Sequence, residues 1–256
     1  MFFIPHRLFE KTGESEEMIV NMPYKLAIHP WRLHNIHADN TFAGNNFNIK
    51  ASDYHYFYTW FKGYDYKIIA DFMVDSADIG NIDVMSSGSR ESGRSYSSKY
   101  TFEDGYNISV DFLSGDSLAS SFALAENDEI FLKETLIRLR GDNEKREIKY
   151  ILTIGNIDIV RGTGIDSIQV FLDGVLQQEA AVVIIDTDDA SISLCHQRDI
   201  LLTFDDGTTE NLSELIKPAK EVLATLFDSL HSMNFATNVV NYIAISIYYH
   251  NYSPEL

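Results

Sequence analysis

The chain lacks the residues that would build a disulfide framework, a basic surface or a membrane span. Its 256 residues include one cysteine, Cys195, which excludes an internal disulfide and favours a reducing compartment. Its longest purely aliphatic run, 180–185, is far shorter than the roughly 20 residues of a membrane helix. Its first residues lack the basic stretch that opens a signal peptide. We therefore expect a cytoplasmic protein that does not bind membranes.

Basic residues are also scarce. The chain has 20 Lys and Arg against 38 Asp and Glu, a formal net charge of −18. A charge of this sign repels nucleic acid and anionic membranes and attracts basic proteins. The chain also lacks a nucleophile elbow, a phosphate-binding loop, a dinucleotide-binding glycine pattern and a Cys-x-x-Cys pair. We therefore expect no catalytic residues and no cofactor.

These absences lead to the main functional hypothesis, a non-enzymatic acidic binding protein that acts on a basic protein partner. An immunity protein, an antitoxin, another inhibitor or a mimic of nucleic-acid charge would fit this description. Direct contact with nucleic acid is not expected, whereas self-association is compatible with the sequence. The first alternative is a metal-dependent hydrolase, for which the candidate ligands are given below, and the second alternative is a structural or phage-type oligomeric component whose copies join through aromatic β edges.

Apolar residues make up 45% of the chain, which is enough to build a sizeable core. Short strand-like segments alternate with turn signals, and Asp-Gly occurs at 104–105, 173–174 and 206–207. The pattern predicts an α+β fold that is predominantly antiparallel β, with a C-terminal helix packed on the sheet. Helical spacing begins at 211 and restarts at Pro218. Residues 235–249 suit a helix or a strand, with β-branched residues slightly favouring a strand.

The composition divides the chain into three parts. Residues 1–41 are an N-terminal arm with a His-rich segment, 42–210 a β-rich body, and 211–256 the C-terminal helix with a final strand or helix. The pentapeptide IGNID occurs at 79–83 and again at 154–158, each time followed by a Phe-x-Asp-Gly turn. This repetition suggests two related β units, about 66–113 and 147–189, although recurrent turn chemistry explains it equally well. The serine-rich segment 86–99 is expected to be a mobile loop.

One cluster of side chains could hold a metal ion. Three imidazoles and a carboxylate within eleven residues suit a catalytic zinc or iron site, which would make the chain a metal-dependent hydrolase. No single helix or strand gathers all four groups, so a loop would have to do so. These candidate ligands are His29, His34, His37 and Asp39.

Three groups of residues are candidates for binding a partner. Alternating aromatics share one face of a predicted strand, where they build core or contact a partner. Two arginines in the serine-rich segment could contact an anion or a partner. Acids at predicted strand ends are turn residues, cation ligands or contacts for a basic protein. The candidates are Tyr54, Tyr56, Tyr58 and Trp60, then Arg90 and Arg94, then Asp186, Asp188, Asp189, Asp205 and Asp206.

Overall fold

The computed structural model describes residues 17–28, 44–59, 63–140, 146–163, 168–186 and 198–252. Within these ranges the chain forms fifteen strands and two helices. In chain order they are β1 (Met18–Met22), α1 (Tyr24–Ile28), β2 (Phe47–Thr59), β3 (Gly63–Val74), β4 (Ala77–Ser89), β5 (Gly93–Phe102), β6 (Tyr106–Ser114), β7 (Leu118–Glu126), β8 (Glu129–Arg140), β9 (Arg146–Ile154), β10 (Ile157–Gly162), β11 (Gln169–Leu172), β12 (Val175–Gln177), β13 (Ala181–Asp186), β14 (Arg198–Thr203), β15 (Thr209–Asn211) and α2 (Leu212–Tyr252).

The first twelve strands form one antiparallel sheet in which the spatial order of the strands follows the chain. Successive strands are joined at alternating ends, so every second turn lies at the same end of the sheet. Asp75 and Ser76, and likewise Asn127 and Asp128, have positive φ at both positions of a two-residue turn. This is the backbone that primed hairpin turns require, because its twist matches that of the flanking strands. The predicted hairpin at Asp104 and Gly105 joins β5 to β6.

One face of this sheet carries the main core. Apolar residues alternate along the strands, as in β3, where Ile68, Ala70 and Phe72 are buried. Phe47 stacks on Phe72 with ring centroids 6.0 Å apart. Helices α1 and α2 cover this core, and Met233, Val239 and Val240 of α2 are buried against it. The fold is therefore the predicted α+β arrangement, mostly antiparallel β with a C-terminal helix on the sheet.

Strands β13, β14 and β15 form a second antiparallel sheet in that order. Leu202 and Phe204 from this sheet share a smaller core with Ile157 and Val170 of the large sheet. The Asp205 carboxylate accepts hydrogen bonds from the backbone N–H groups of Gln178 and Glu179, at 2.9 and 2.8 Å. These contacts hold the small sheet against the end of the large one.

The preference for a strand over 235–249 was wrong, because these residues continue α2 to Tyr252. The predicted break before Pro218 is also absent, since Pro218 lies inside the same continuous helix. Met233, Ala236 and Val240 are buried at helical spacing against the sheet. This burial outweighs the β propensity of the isoleucines, because β propensity reflects side-chain packing more than an intrinsic preference of the backbone.

The mobile loop expected at 86–99 was also wrong. Most of this segment lies in β4 and β5, which pair from Gly80 with Phe102 to Ser89 with Gly93. Most of the serines lie in these paired strands, and the hydroxyl groups of Ser87 and Ser95 form a cross-strand hydrogen bond of 2.8 Å. A serine-rich strand is stable here because it is central in the sheet and pairs on both sides.

The two IGNID pentapeptides adopt different structures. Residues 79–83 lie within β4, whereas 154–158 span the end of β9, the turn at 155–156 and the start of β10. At the N-terminal side, β1 pairs with β2 over five residues, so part of the predicted arm belongs to the large sheet. None of the described helices is long and apolar enough to cross a membrane.

Candidate functional site

The face of the large sheet that carries the core continues beyond α2 as an open surface. Directly paired residues of antiparallel strands share a face, so the register places whole rows of side chains side by side. We name two neighbouring rows near this end of the face the tyrosine–arginine band. Its first row is Tyr58, Tyr64, Gly88, Arg94, Ser114, Leu118, Arg138 and Ile148, and its second is Tyr56, Tyr66, Ser86, Tyr96, Phe112, Ser120, Leu136, Tyr150 and Arg161.

Helix α2 lies on the rows next to this band. The methyl carbon of Met233 lies 2.6 Å from the point where a Cβ on Gly80 would be, and Gly80 is three rows from the inner row of the band. The Tyr54 hydroxyl, in the row beside the band, donates a 3.0 Å hydrogen bond to Oδ1 of Asn241. Tyr58 is 56% exposed and Ile148 43% exposed. The core thus lies under the helix, whereas side chains of the band such as Tyr58 and Ile148 are accessible to solvent.

The band differs in charge from the rest of the chain. It contains three arginines and no Asp, Glu or Lys at any of its seventeen positions, whereas the whole chain has a net charge of −18. It also lacks His and Cys, and with the carboxylates these are the groups that usually transfer protons at neutral pH. Its side chains can stack, donate hydrogen bonds and hold an anion.

The arginine nearest the tyrosines is held by packing. Cε1 of Tyr64 and Cγ of Arg94 lie 2.7 and 3.1 Å from the position that a Cβ on Gly88 would occupy. The two side chains therefore close over Gly88 from both sides, and any larger residue at Gly88 would separate them. The Ser86 hydroxyl donates to the Tyr64 hydroxyl at 3.4 Å.

Burial raises the pKa of two tyrosine hydroxyls in and beside the band above the ordinary value of about 10. Burial raises the pKa of Tyr54 to about 12, and the neighbouring Tyr56 adds to the shift. Burial likewise raises the pKa of Tyr66, with further contributions from Tyr54 and Tyr96. The rings of Tyr54 and Tyr66 meet edge to face with centroids 6.0 Å apart. These hydroxyls stay neutral hydrogen-bonding groups over the whole physiological pH range.

A second surface lies at the other end of the same strands. Every second turn of the sheet lies at this end, and neighbouring turns are hydrogen-bonded to one another. The backbone N–H of Asn127 donates to the carbonyl of Gly105 at 3.0 Å, and the backbone N–H of Asp173 donates to the carbonyl of Asn156 at 2.9 Å. The turns at 75–78, 103–105, 126–129, 155–156 and 173–174 contain no Lys or Arg. We call them the acidic turn rim, whose acids are Asp75, Asp78, Glu103, Asp104, Glu126, Asp128, Glu129 and Asp173.

The acids of the rim have little neutralising charge nearby. Among the described residues, the rim has one ion pair, between Lys99 Nζ and Asp128 Oδ1, 3.3 Å apart, and Asp128 is the more exposed partner. Glu126 and Glu129 are directly paired across β7 and β8, which places two like charges side by side. The strand order therefore concentrates negative charge at one end of the sheet.

The structure brings together part of the candidate partner-binding set. Tyr56 and Tyr58 lie in the band as the alternation predicted, and Tyr54 lies beside it on the same face. Arg94 joins them, whereas Arg90 is exposed in the turn after β4. Trp60 lies outside the described residues. Sequence reasoning missed Tyr64, Tyr66, Tyr96, Arg138 and Arg161, which only the register between hairpins places in the same rows.

The candidate acids do not converge with the tyrosines. Asp186 ends β13 and pairs with Arg198 at 3.5 Å, and Asp205 holds the small sheet as described above. Asp206 accepts from the backbone N–H and hydroxyl of Thr208, at 2.9 and 2.6 Å, and these bonds lower its pKa. These acids stabilise turns through hydrogen bonds or form an ion pair. Asp188 and Asp189 lie outside the described residues.

The candidate metal ligands His29, His34, His37 and Asp39 also lie outside the described residues. Within the part of the chain that the structure describes, no group of three or more His, Cys, Asp or Glu side chains could hold a metal ion.

Comparison of the chain with protein-family models, with curated proteins and with solved structures gives no match. The functional argument therefore depends on the two surfaces just described.

Proposed function

We propose that the protein is a non-enzymatic binding protein that docks a basic protein partner on its acidic turn rim. The observation that carries the proposal is that the five turns at one end of the sheet contain no Lys or Arg and that four of them hold eight acids. Turns held by hairpin backbones present carboxylates at fixed spacing, so less conformational entropy is lost on binding. An inhibitor, an immunity protein or a mimic of nucleic-acid charge would use such a surface.

Electrostatic attraction by the rim would raise both the association rate and the affinity of a basic partner. Acids gathered on one end focus the field of a chain whose net charge is −18, which steers a basic partner to that end. The proposal places the protein in the cytoplasm, in agreement with its single cysteine.

The test uses a defined basic probe, a decalysine peptide, with a decaglutamate peptide as the control ligand. The rim variant Asp78→Asn, Glu103→Gln, Glu129→Gln removes three exposed rim charges. The matched variant Asp71→Asn, Glu210→Gln, Glu221→Gln removes three exposed charges elsewhere. We expect isothermal titration to show decalysine binding weakened by about tenfold in the rim variant and by about twofold or less in the matched variant.

Binding through the rim also predicts a salt effect, since exposed charge pairs are screened at a Debye length of about 8 Å in physiological salt. Equal weakening in the two triple variants would mean that only net charge matters, and the rim would lose its role. Binding of decaglutamate as tight as that of decalysine would rule out a preference for a basic partner.

A further inference from the structure

The tyrosine–arginine band has no role in the proposed docking of a basic partner, because it carries positive charge at the opposite end of the sheet. Its composition is nevertheless that of a protein interface. Aromatic residues and Arg are enriched at the centres of interfaces, while Lys, Glu and Asp are depleted. Tyr and Arg are also the residues that most often dominate binding energy, and Ser and Gly are their usual neighbours in antibody binding loops.

We infer that the band is a self-association surface that packs face to face against the band of a second copy of this chain. Closed two-fold dimers are the commonest oligomers, and they need one surface that is complementary to itself. Two sheets pack face to face at about 10 Å, which is about the diameter of a helix. At the β2 side of the sheet, α2 lies directly beside the band, where Asn241 accepts a hydrogen bond from Tyr54, so there the second copy can overlap only the band.

The position of the helix fixes the symmetry axis. An axis parallel to the strands would place both copies of α2 in the same gap between the sheets. A two-fold axis perpendicular to the strands, placed between the two rows of the band, avoids this clash. Each copy of α2 then lies beyond the end of the other copy's sheet. In this arrangement each row of one copy lies opposite the other row of the second copy.

The side chains of the two rows are complementary in this arrangement. Arg94 faces Tyr96 of the second copy, where a guanidinium over a ring is favourable. Phe112 faces Ser114 of the second copy, so a large side chain meets a small one. Arg138 faces Leu136 of the second copy, with its aliphatic stem available for packing. No arginine lies opposite another arginine, so the like charges are kept apart.

The area of the band is sufficient for a stable dimer. Nine strands spaced about 4.8 Å apart and two rows of side chains give a surface of about 600 Å² per copy. The two copies together would bury about 1,200 Å², above the roughly 1,000 Å² expected of a specific interface. Burying the band in this way would also remove exposed Tyr56, Tyr58 and Ile148 from water.

Sedimentation velocity over a concentration series tests the inference with two leucine variants. Leu136→Asp places a charge in the band, and Leu113→Asp places the same charge on the opposite face of the sheet, at a leucine that is also exposed. We expect the wild type and Leu113→Asp to form dimers and Leu136→Asp to remain monomeric at the same concentrations. Thermal unfolding of each variant checks that both are folded.

A pyrene label then tests the face-to-face geometry. In a Cys195→Ser background, Ser114→Cys carries the label on the band, and Leu113→Cys carries it on the other face. We expect excimer fluorescence from Ser114→Cys alone, and its loss when Leu136→Asp is added.

A wild type that is monomeric at every concentration would overturn the inference and leave the band to a different occupant. Equal dissociation by both aspartate variants, or equal excimer signal from both labels, would overturn it as well. These outcomes are independent of decalysine binding, because that experiment reports on the opposite end of the sheet.

Discussion

Gly80 and Gly155 occupy the same place in the two IGNID pentapeptides, yet their surroundings differ. Both have positive φ, +139° and +56°, a backbone region that favours glycine. A Cβ on Gly80 would lie 2.1 Å from the carbonyl oxygen of Thr101 and 2.6 Å from the methyl carbon of Met233. A Cβ on Gly155 would meet nothing within 4 Å. At Gly80 the absence of a side chain lets α2 approach the sheet.

The pair supplies a matched test of this close approach. We expect Gly80→Ala to lower the free energy of unfolding by about 2–3 kcal/mol more than Gly155→Ala, since overpacking costs that much where the neighbours are fixed. The backbone adds to the difference, because alanine adopts the left-handed φ of Gly155 at modest cost, whereas the φ of +139° at Gly80 is essentially restricted to glycine. Urea denaturation followed by circular dichroism measures the difference. Equal losses would show that Thr101 and Met233 move aside freely.

At the scale of the element, α2 begins with a capping interaction supplied by a different strand. The Asp199 carboxylate of β14 accepts from the backbone N–H groups of Ile200 and Ser213, at 2.7 and 3.2 Å, and from the Ser213 hydroxyl. Burial would raise the pKa of Asp199, but these bonds from Ser213 and Ile200 outweigh it and lower the pKa below its usual value. The ionised carboxylate thereby satisfies the N–H group of Ser213 at the helix N-terminus.

This cap predicts a pH-dependent contribution to stability. Because the folded-state pKa is lowered, the contribution is present above the ordinary carboxyl pKa of about 4 and is lost as pH falls through the folded-state value. We expect Asp199→Ala to lose about 1–2 kcal/mol at neutral pH. The difference from wild type should shrink on acidification.

Asp186→Ala, which removes the exposed ion pair with Arg198 from the neighbouring strand, is the control for this measurement. Its loss should stay below about 1 kcal/mol, because exposed pairs contribute little. Chemical denaturation at a series of pH values gives both numbers. A loss at Asp199 that does not depend on pH would rule out the ionised cap.

For the whole molecule, the surplus of acids opposes folding through self-repulsion. The ion pairs of the described residues are exposed, such as Lys67 with Asp53 at 2.6 Å, and contribute little against it. Added salt screens repulsion among exposed charges over distances of about 10 Å. Charge at the acidic turn rim should dominate this effect because its acids lie close together.

We therefore expect the Tm to rise as NaCl is raised from about 20 mM to about 200 mM. The rise should be smaller in the Asp78→Asn, Glu103→Gln, Glu129→Gln variant than in the matched triple variant used for decalysine binding. Scanning fluorimetry provides the measurement. A Tm that falls with salt would mean that the exposed ion pairs outweigh the repulsion.

Much of the fold was predictable because its elements are local. The Asp-Gly turns at 104–105 and 173–174 mark hairpins, and alternation along Tyr54, Tyr56 and Tyr58 gives a strand with one shared face. Part of the candidate site follows from the same alternation. The rest required the register across nine strands, which joins Tyr64 to Arg94 through Gly88 although these residues lie far apart in the chain.

The charge of the chain, its β-rich antiparallel character and the identity of its turns follow from local sequence, because composition, alternation and turn chemistry act over a few residues. The helix at 235–249 and the paired strands at 86–99 depend on the tertiary structure, since burial against distant residues outweighs local propensity. It also decided where charge collects. A sheet that follows chain order brings alternate turns to one end, so scattered acids become the acidic turn rim and scattered tyrosines and arginines become the band.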